Sequence, residues 1–108
     1  MDHKTEVKML LTYVEEALET ILLSRDRTSK HPALSWLDEH EDEHLRKASR
    51  HILTHQLVRD GQQPETQEDH LYNAVCRLAM AMGVREQHKE LEAEFGSPFL
   101  TQLPVKLP

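Results

Sequence analysis

The most restrictive feature of this chain is a row of aliphatic residues near its start. Val7, Leu10, Leu11, Val14, Leu18, Ile21 and Leu22 recur at three- and four-residue spacing. An α-helix gathers such positions on one side. The row predicts a first helix from Thr5 to Leu23, with Asp2 or Thr5 capping its start. The polar and basic stretch Ser24 to His31 then reads as a loop, closed by Pro32.

Two further helices follow. The second starts between Pro32 and Ser35 and runs to Arg59, with Leu34, Leu37, Leu45, Ala48 and Ile52 as its apolar face. Proline is tolerated in a first helical turn. Asp60-Gly61 ends the helix, glycine supplying a left-handed cap. The third covers Glu65 to Met82, with Leu71, Val75, Leu78 and Met82 in one stripe, flanked by Ala74, Ala79 and Ala81. Gly83 is either a tolerated mid-helix glycine or a break, and a short fourth helix follows over Val84 to Phe95. Gly96-Ser97-Pro98 stops it. The fold class is therefore all-α: a small antiparallel bundle of three long helices plus a short fourth. Residues 1–98 form this domain, and residues 99–108 form an extended C-terminal arm with Pro104 and Pro108.

Composition bounds the partners. Only 38% of the 108 residues are hydrophobic, below the about 45–50% of ordinary soluble domains. So thin a core points to a homo-oligomer. The net charge of −6 disfavours extended nucleic-acid binding, which needs a basic surface. It leaves room for a small basic pocket. Protonating all eight histidines would bring the charge to +2. One cysteine forms no intrachain disulfide, no apolar run reaches the ~18 residues of a membrane span, and no signal-peptide layout opens the chain. A cytoplasmic protein is expected.

The polar residues cluster. Rotating the second helix by about 100° per residue places Glu41 inside the apolar arc, with His44, His51 and His55 along its edge. A carboxylate facing inward is costly unless paired, protonated or metal-bound. Glu41-x-x-His44 has the i, i+3 spacing of bundle metal ligands. Residues 38–44 also read as a solvated acidic run suited to a helix N-terminus. Asp69, His70 and Asn73 form a second polar group on the third helix, continued by Arg77, and the short loop brings His51 or His55 towards His70. An inter-helix hydrogen-bond network that fixes register is the alternative there. Glu15, Glu16 and Glu19, with Glu39 and Asp42, form a second carboxylate set suited to Mg²⁺. Arg46, Arg50 and Arg77 are candidates for phosphate. Trp36 either packs at a helix start or stacks on a base, and Cys76 reads as a small core residue.

Arg50-His51-Ile52-Leu53, then Gly61, an acidic proline-containing loop and His70-Leu71-x-x-Ala74-x-Cys76 resemble the phage dATP/dGTP diphosphohydrolase-like proteins. These are related to the MazG-like all-α nucleotide pyrophosphohydrolases. The resemblance covers about residues 44–82. Separately, Glu15-Glu16-x-x-Glu19 and Glu39-x-x-Asp42 resemble the EExxE…ExxD metal motif of the wider MazG-like group. The first likeness places the site on helices two and three, the second on helices one and two. The resemblance implies hydrolysis of a nucleoside triphosphate with release of pyrophosphate, using Mg or Mn, by a dimer or tetramer. Glu41, His51 and His70 would then be catalytic, with Glu41, His44, Asp69 and His70 on the metal. The competing expectation is a non-enzymatic acidic helical module for interaction or oligomerisation, with a structural or pH-responsive histidine cluster. A di-iron bundle needs a second Glu-x-x-His unit beyond Glu41 and His44, and −6 is too small a charge for a DNA mimic.

Overall fold

The computed structural model describes residues 1–95. Within them the protein is all-helical, a bundle of three long helices and one short one. They are α1 (His3–Leu22), α2 (Arg25–Lys30), α3 (Glu41–Arg59) and α4 (His70–Phe95), with a 3₁₀ turn over Ser35–Asp38. The expected arm over 99–108 and the stop at Gly96 to Pro98 lie outside the described residues.

Local chemistry explains the boundaries. Asp2 caps α1, its carboxylate accepting from the Thr5 amide at 2.7 Å. The stretch expected as a loop after α1 instead contains α2. Ser24 caps it through the Arg27 amide, and Lys30 pairs with Asp26 one turn back. This helix has no apolar row, so its sequence carried no periodic signal. The expected continuous helix from Pro32 to Arg59 is broken. Leu34 is left-handed (φ 67°), Glu39 and His40 are extended, and α3 begins at Glu41 with Glu41, Asp42 and Glu43 in its first turn. At the other end, Gly61 sits at φ 75°. The amide of Gly61 donates to Val58 and that of Gln62 to Leu57, which closes α3 with a Schellman motif. The third helix starts at His70 rather than Glu65, because the Asp69 carboxylate accepts from the Tyr72 amide and fixes the start there.

Helix α4 passes through Gly83 without a break. A Cβ at Gly83 would lie 2.7 Å from the Trp36 ring, so the missing side chain is what lets the indole lie against α4. Trp36 therefore packs.

Helices α3 and α4 form an antiparallel hairpin, and α1 lies against α4. The core is small: Ala17, Ala48, Ala74, Cys76, Met80, Ala81 and Val84, around a buried His44. Alanines at the crossings let backbones approach, and the Cys76 thiol reaches the Ala17 carbonyl of α1 at 3.5 Å. The stripe expected to face inward on α4 does not. Leu71, Leu78 and Met82 are exposed, and the neighbouring Ala74, Cys76 and Ala81 are buried instead. On α3, Ala48 is buried while Leu45 and Ile52 are partly open. The radius of gyration, 16.4 Å, exceeds the roughly 12–13 Å of a compact domain of this length. No helix among the described residues is long and apolar enough to cross a membrane.

Candidate functional site

The loop between α3 and α4 holds the densest polar chemistry. Its antiparallel turn sets His51, two turns before the end of α3, against His70, the first residue of α4. The two Nδ1 atoms lie 2.9 Å apart and the rings are tilted by 34°. At that distance one Nδ1 carries a proton and the other accepts it. His70 Nε2 is 3.0 Å from the Thr66 hydroxyl, which in turn reaches the Glu68 carbonyl. The Glu68 carboxylate lies 3.9 Å from His70 Nδ1. Burial pushes the His51 pKa below its ordinary value, and the facing Glu68 opposes the shift without cancelling it. Among the described residues, His51, Glu68 and His70 form the one group of three whose ligand atoms all lie within 4.8 Å of one another.

Open clefts flank this loop. One of 480 Å³ is lined by His55, Arg59, Glu65 and His70. The other, 730 Å³, runs between Glu68, Asp69 and Asn73 and a basic wall of Arg27, Lys30 and His31 from the α2 segment. That wall was hidden in the sequence, where its residues read as a loop. Glu68 was also missed; its sole signal was its place two residues before His70 in an acidic run.

The opposite end of the hairpin carries a satisfied network. His44 is fully buried. Its Nε2 donates to the Trp36 carbonyl at 2.8 Å and its Nδ1 accepts from Arg77 at 3.1 Å. Arg77 also bonds Glu39, which binds Lys47 as well. Burial would raise the Glu39 pKa, but the Lys47 hydrogen bond and the charges of Arg77, Lys47 and His44 outweigh it and hold the carboxyl below its usual range. Both His44 nitrogens are thus occupied, which removes it as a metal ligand. Arg77 and Glu39 are consumed in the same network.

The other expected site residues are dispersed. Glu41 opens α3 beside Leu45, Leu78 and Met82, in a separate cleft from His70. Asp69 caps α4 from an exposed position, and Asn73 donates to its carbonyl. Arg46 pairs with Glu43 in solvent. Arg50 and Asp42 are exposed on α3. Glu15, Glu16 and Glu19 are exposed on α1, and with Glu39 and Asp42 they form no three-carboxylate group. Mg²⁺ takes oxygen donors in near-octahedral array. A single chain assembles no group of three carboxylates among the described residues. Two imidazoles and a carboxylate suit zinc, iron, cobalt or nickel.

A second surface stands out. Every residue from Met1 to Glu16 is exposed. Val7, Leu10, Leu11 and Val14, the first half of the aliphatic row, remain 61%, 60%, 48% and 36% open. Comparison with family models, with curated proteins and with solved structures gives no match to this chain.

Proposed function

We propose that this protein is a self-associating helical module whose core is completed by a second copy packed on α1. The exposed aliphatic row Val7, Leu10, Leu11 and Val14 carries this reading. Covering such side chains contributes about 1.5–3 kcal/mol each when burial is complete. The charges flanking the row favour a second copy of the chain over a foreign helix. Lys4, Lys8, Glu15 and Glu19 all fall on one flank of the row. In an antiparallel pair centred between Leu11 and Thr12, Lys4 faces the partner's Glu19 and Lys8 faces the partner's Glu15. The same patch on both chains then meets itself with opposite charges, as a two-fold interface requires. This module is expected to work in the cytoplasm.

The test is size-exclusion chromatography with light scattering. A mass of twice the 12.6 kDa of one chain is expected. The pair Lys4→Glu and Lys8→Glu, and separately the pair Glu15→Lys and Glu19→Lys, should each reduce self-association. Mixing the two variants should restore it as a heterodimer. A wild-type monomer at all concentrations defeats the reading, and so does a dimer indifferent to both variants.

A second reading, hydrolysis of a nucleoside triphosphate at the α3–α4 end, is favoured by one observation. The two histidines of the resembling motifs, His51 and His70, meet beside the 480 Å³ cleft. The assay is a panel of nucleoside and deoxynucleoside triphosphates with divalent metals, with products separated by chromatography. Monophosphate and pyrophosphate from one substrate, lost in His70→Ala, support it. Diphosphate rejects the reaction type, and no turnover by folded oligomer leaves the module alone.

A further inference from the structure

The geometry points to a transition-metal site, of the kind that takes Zn²⁺, formed by His51 Nδ1, His70 Nδ1 and the Glu68 carboxylate at the tip of the α3–α4 hairpin. The proposal does not depend on self-association or on hydrolysis.

The donors are right in kind and number. Two imidazoles and one carboxylate, with water completing the shell, make an open four-coordinate site. All three ligand atoms already lie within 4.8 Å of one another. Zinc–nitrogen bonds of 2.0–2.1 Å at a tetrahedral angle set the two nitrogens about 3.3 Å apart. The observed 2.9 Å therefore requires the rings to part by a few tenths of an ångström and to turn so that both Nδ1 lone pairs converge on one point beside the line between them. Glu68 lies on the loop with its side chain half exposed, so its carboxylate can close the remaining distance without disturbing a helix.

The surroundings also set the correct tautomer. A metal on His70 Nδ1 needs the proton on Nε2. There the Thr66 hydroxyl oxygen, at 3.0 Å, accepts it, and the Thr66 proton passes on to the Glu68 carbonyl. Such a partner behind a ligating imidazole orients the ring and raises its affinity. His51 is neutral when its proton moves from Nδ1 to Nε2, so the ion displaces a hydrogen bond and no charge. Mg²⁺ is excluded by the same donor set, because it prefers oxygen and retains its waters.

The experiment is calorimetric titration of the full chain with zinc chloride, repeated with magnesium chloride, together with cobalt(II) absorption in the visible. One Zn²⁺ per chain and a tetrahedral cobalt spectrum are expected, with no magnesium heat. Glu68→Gln, in an exposed loop where folding is not at risk, should weaken zinc at least about tenfold. Thr66→Val should weaken it by about 10–100-fold through His70. His51→Gln should abolish the cobalt spectrum, and His88→Gln, far along α4, should change nothing. Octahedral cobalt, or zinc affinity unchanged in both Glu68→Gln and His51→Gln, overturns the site and marks the binding as scattered surface histidine.

Discussion

The Trp36 ring occupies the space above Gly83, its nearest carbon 2.7 Å from where a Cβ would stand. The contact ties the 3₁₀ turn to the middle of α4 and determines the direction from which the chain enters α3. Gly83→Ala should therefore destabilise the fold by about 1–3 kcal/mol through overpacking. The about 1 kcal/mol an alanine ordinarily contributes in a helix offsets part of this, leaving a net loss of up to about 2 kcal/mol. Denaturant unfolding measures it, and the emission of the single tryptophan reports the displaced ring.

His44→Ala should cost about 2–4 kcal/mol, since it opens a cavity and removes one partner each from the Trp36 carbonyl and Arg77, which keep the Glu39 amide and carboxylate. Arg77→Met should destabilise too, by stranding His44 Nδ1 and leaving Glu39 with Lys47 alone. The double variant should be less destabilised than the two losses added together, because both break one network. Equilibrium unfolding of the three variants checks the cycle.

Stability should fall as pH drops through 6.5, the ordinary histidine value, towards the lower folded value of His51. In that window the unfolded chain binds a proton at His51 that the folded chain refuses, so unfolding is favoured by acid. Glu39 adds a second loss at lower pH. Its folded pKa is depressed, so its stabilisation is present above the unfolded value of about 4.5 and disappears as pH falls through the folded one. His51→Gln should flatten the first phase and leave the second. Thermal melts from about pH 2 to pH 8 separate them.

Two backbone positions should respond in opposite directions. Gly61→Ala forces an alanine to φ 75° and should cost about 1 kcal/mol. Leu34→Gly relieves a non-glycine residue at φ 67°, largely exposed, and should be neutral or stabilising by up to about 1 kcal/mol. Unfolding midpoints of the two variants decide it.

The all-α class was legible because α1, α3 and α4 each carry apolar residues at helical spacing. Their inward faces were harder to read. On α4 the large side chains Leu71, Leu78 and Met82 point outward, while Ala74 and Ala81 occupy the helix contacts, where only small residues fit. Hydrophobicity ranked the wrong residues first. The α2 helix escaped notice because its signals are a serine cap and one Asp26–Lys30 pair, with no apolar row. At the candidate site, an antiparallel hairpin with a short loop sufficed to bring His51 towards His70. Glu68 could not be singled out, because only the loop path from Gly61 to Asp69 turns it back on the histidines. His44 read as a ligand because spacing alone does not reveal that a carbonyl from the preceding turn and an arginine from α4 already claim both nitrogens.

The overhang of α1 has a consequence for how the chain behaves in dilute solution. Up to Glu16 its residues are exposed, and a free helix shorter than about 12–15 residues is marginal in water. A second copy packed on that row, as proposed, would steady these first turns. The helical content of this protein would rise and fall with its own abundance, and so would the resistance of its N-terminus to proteases.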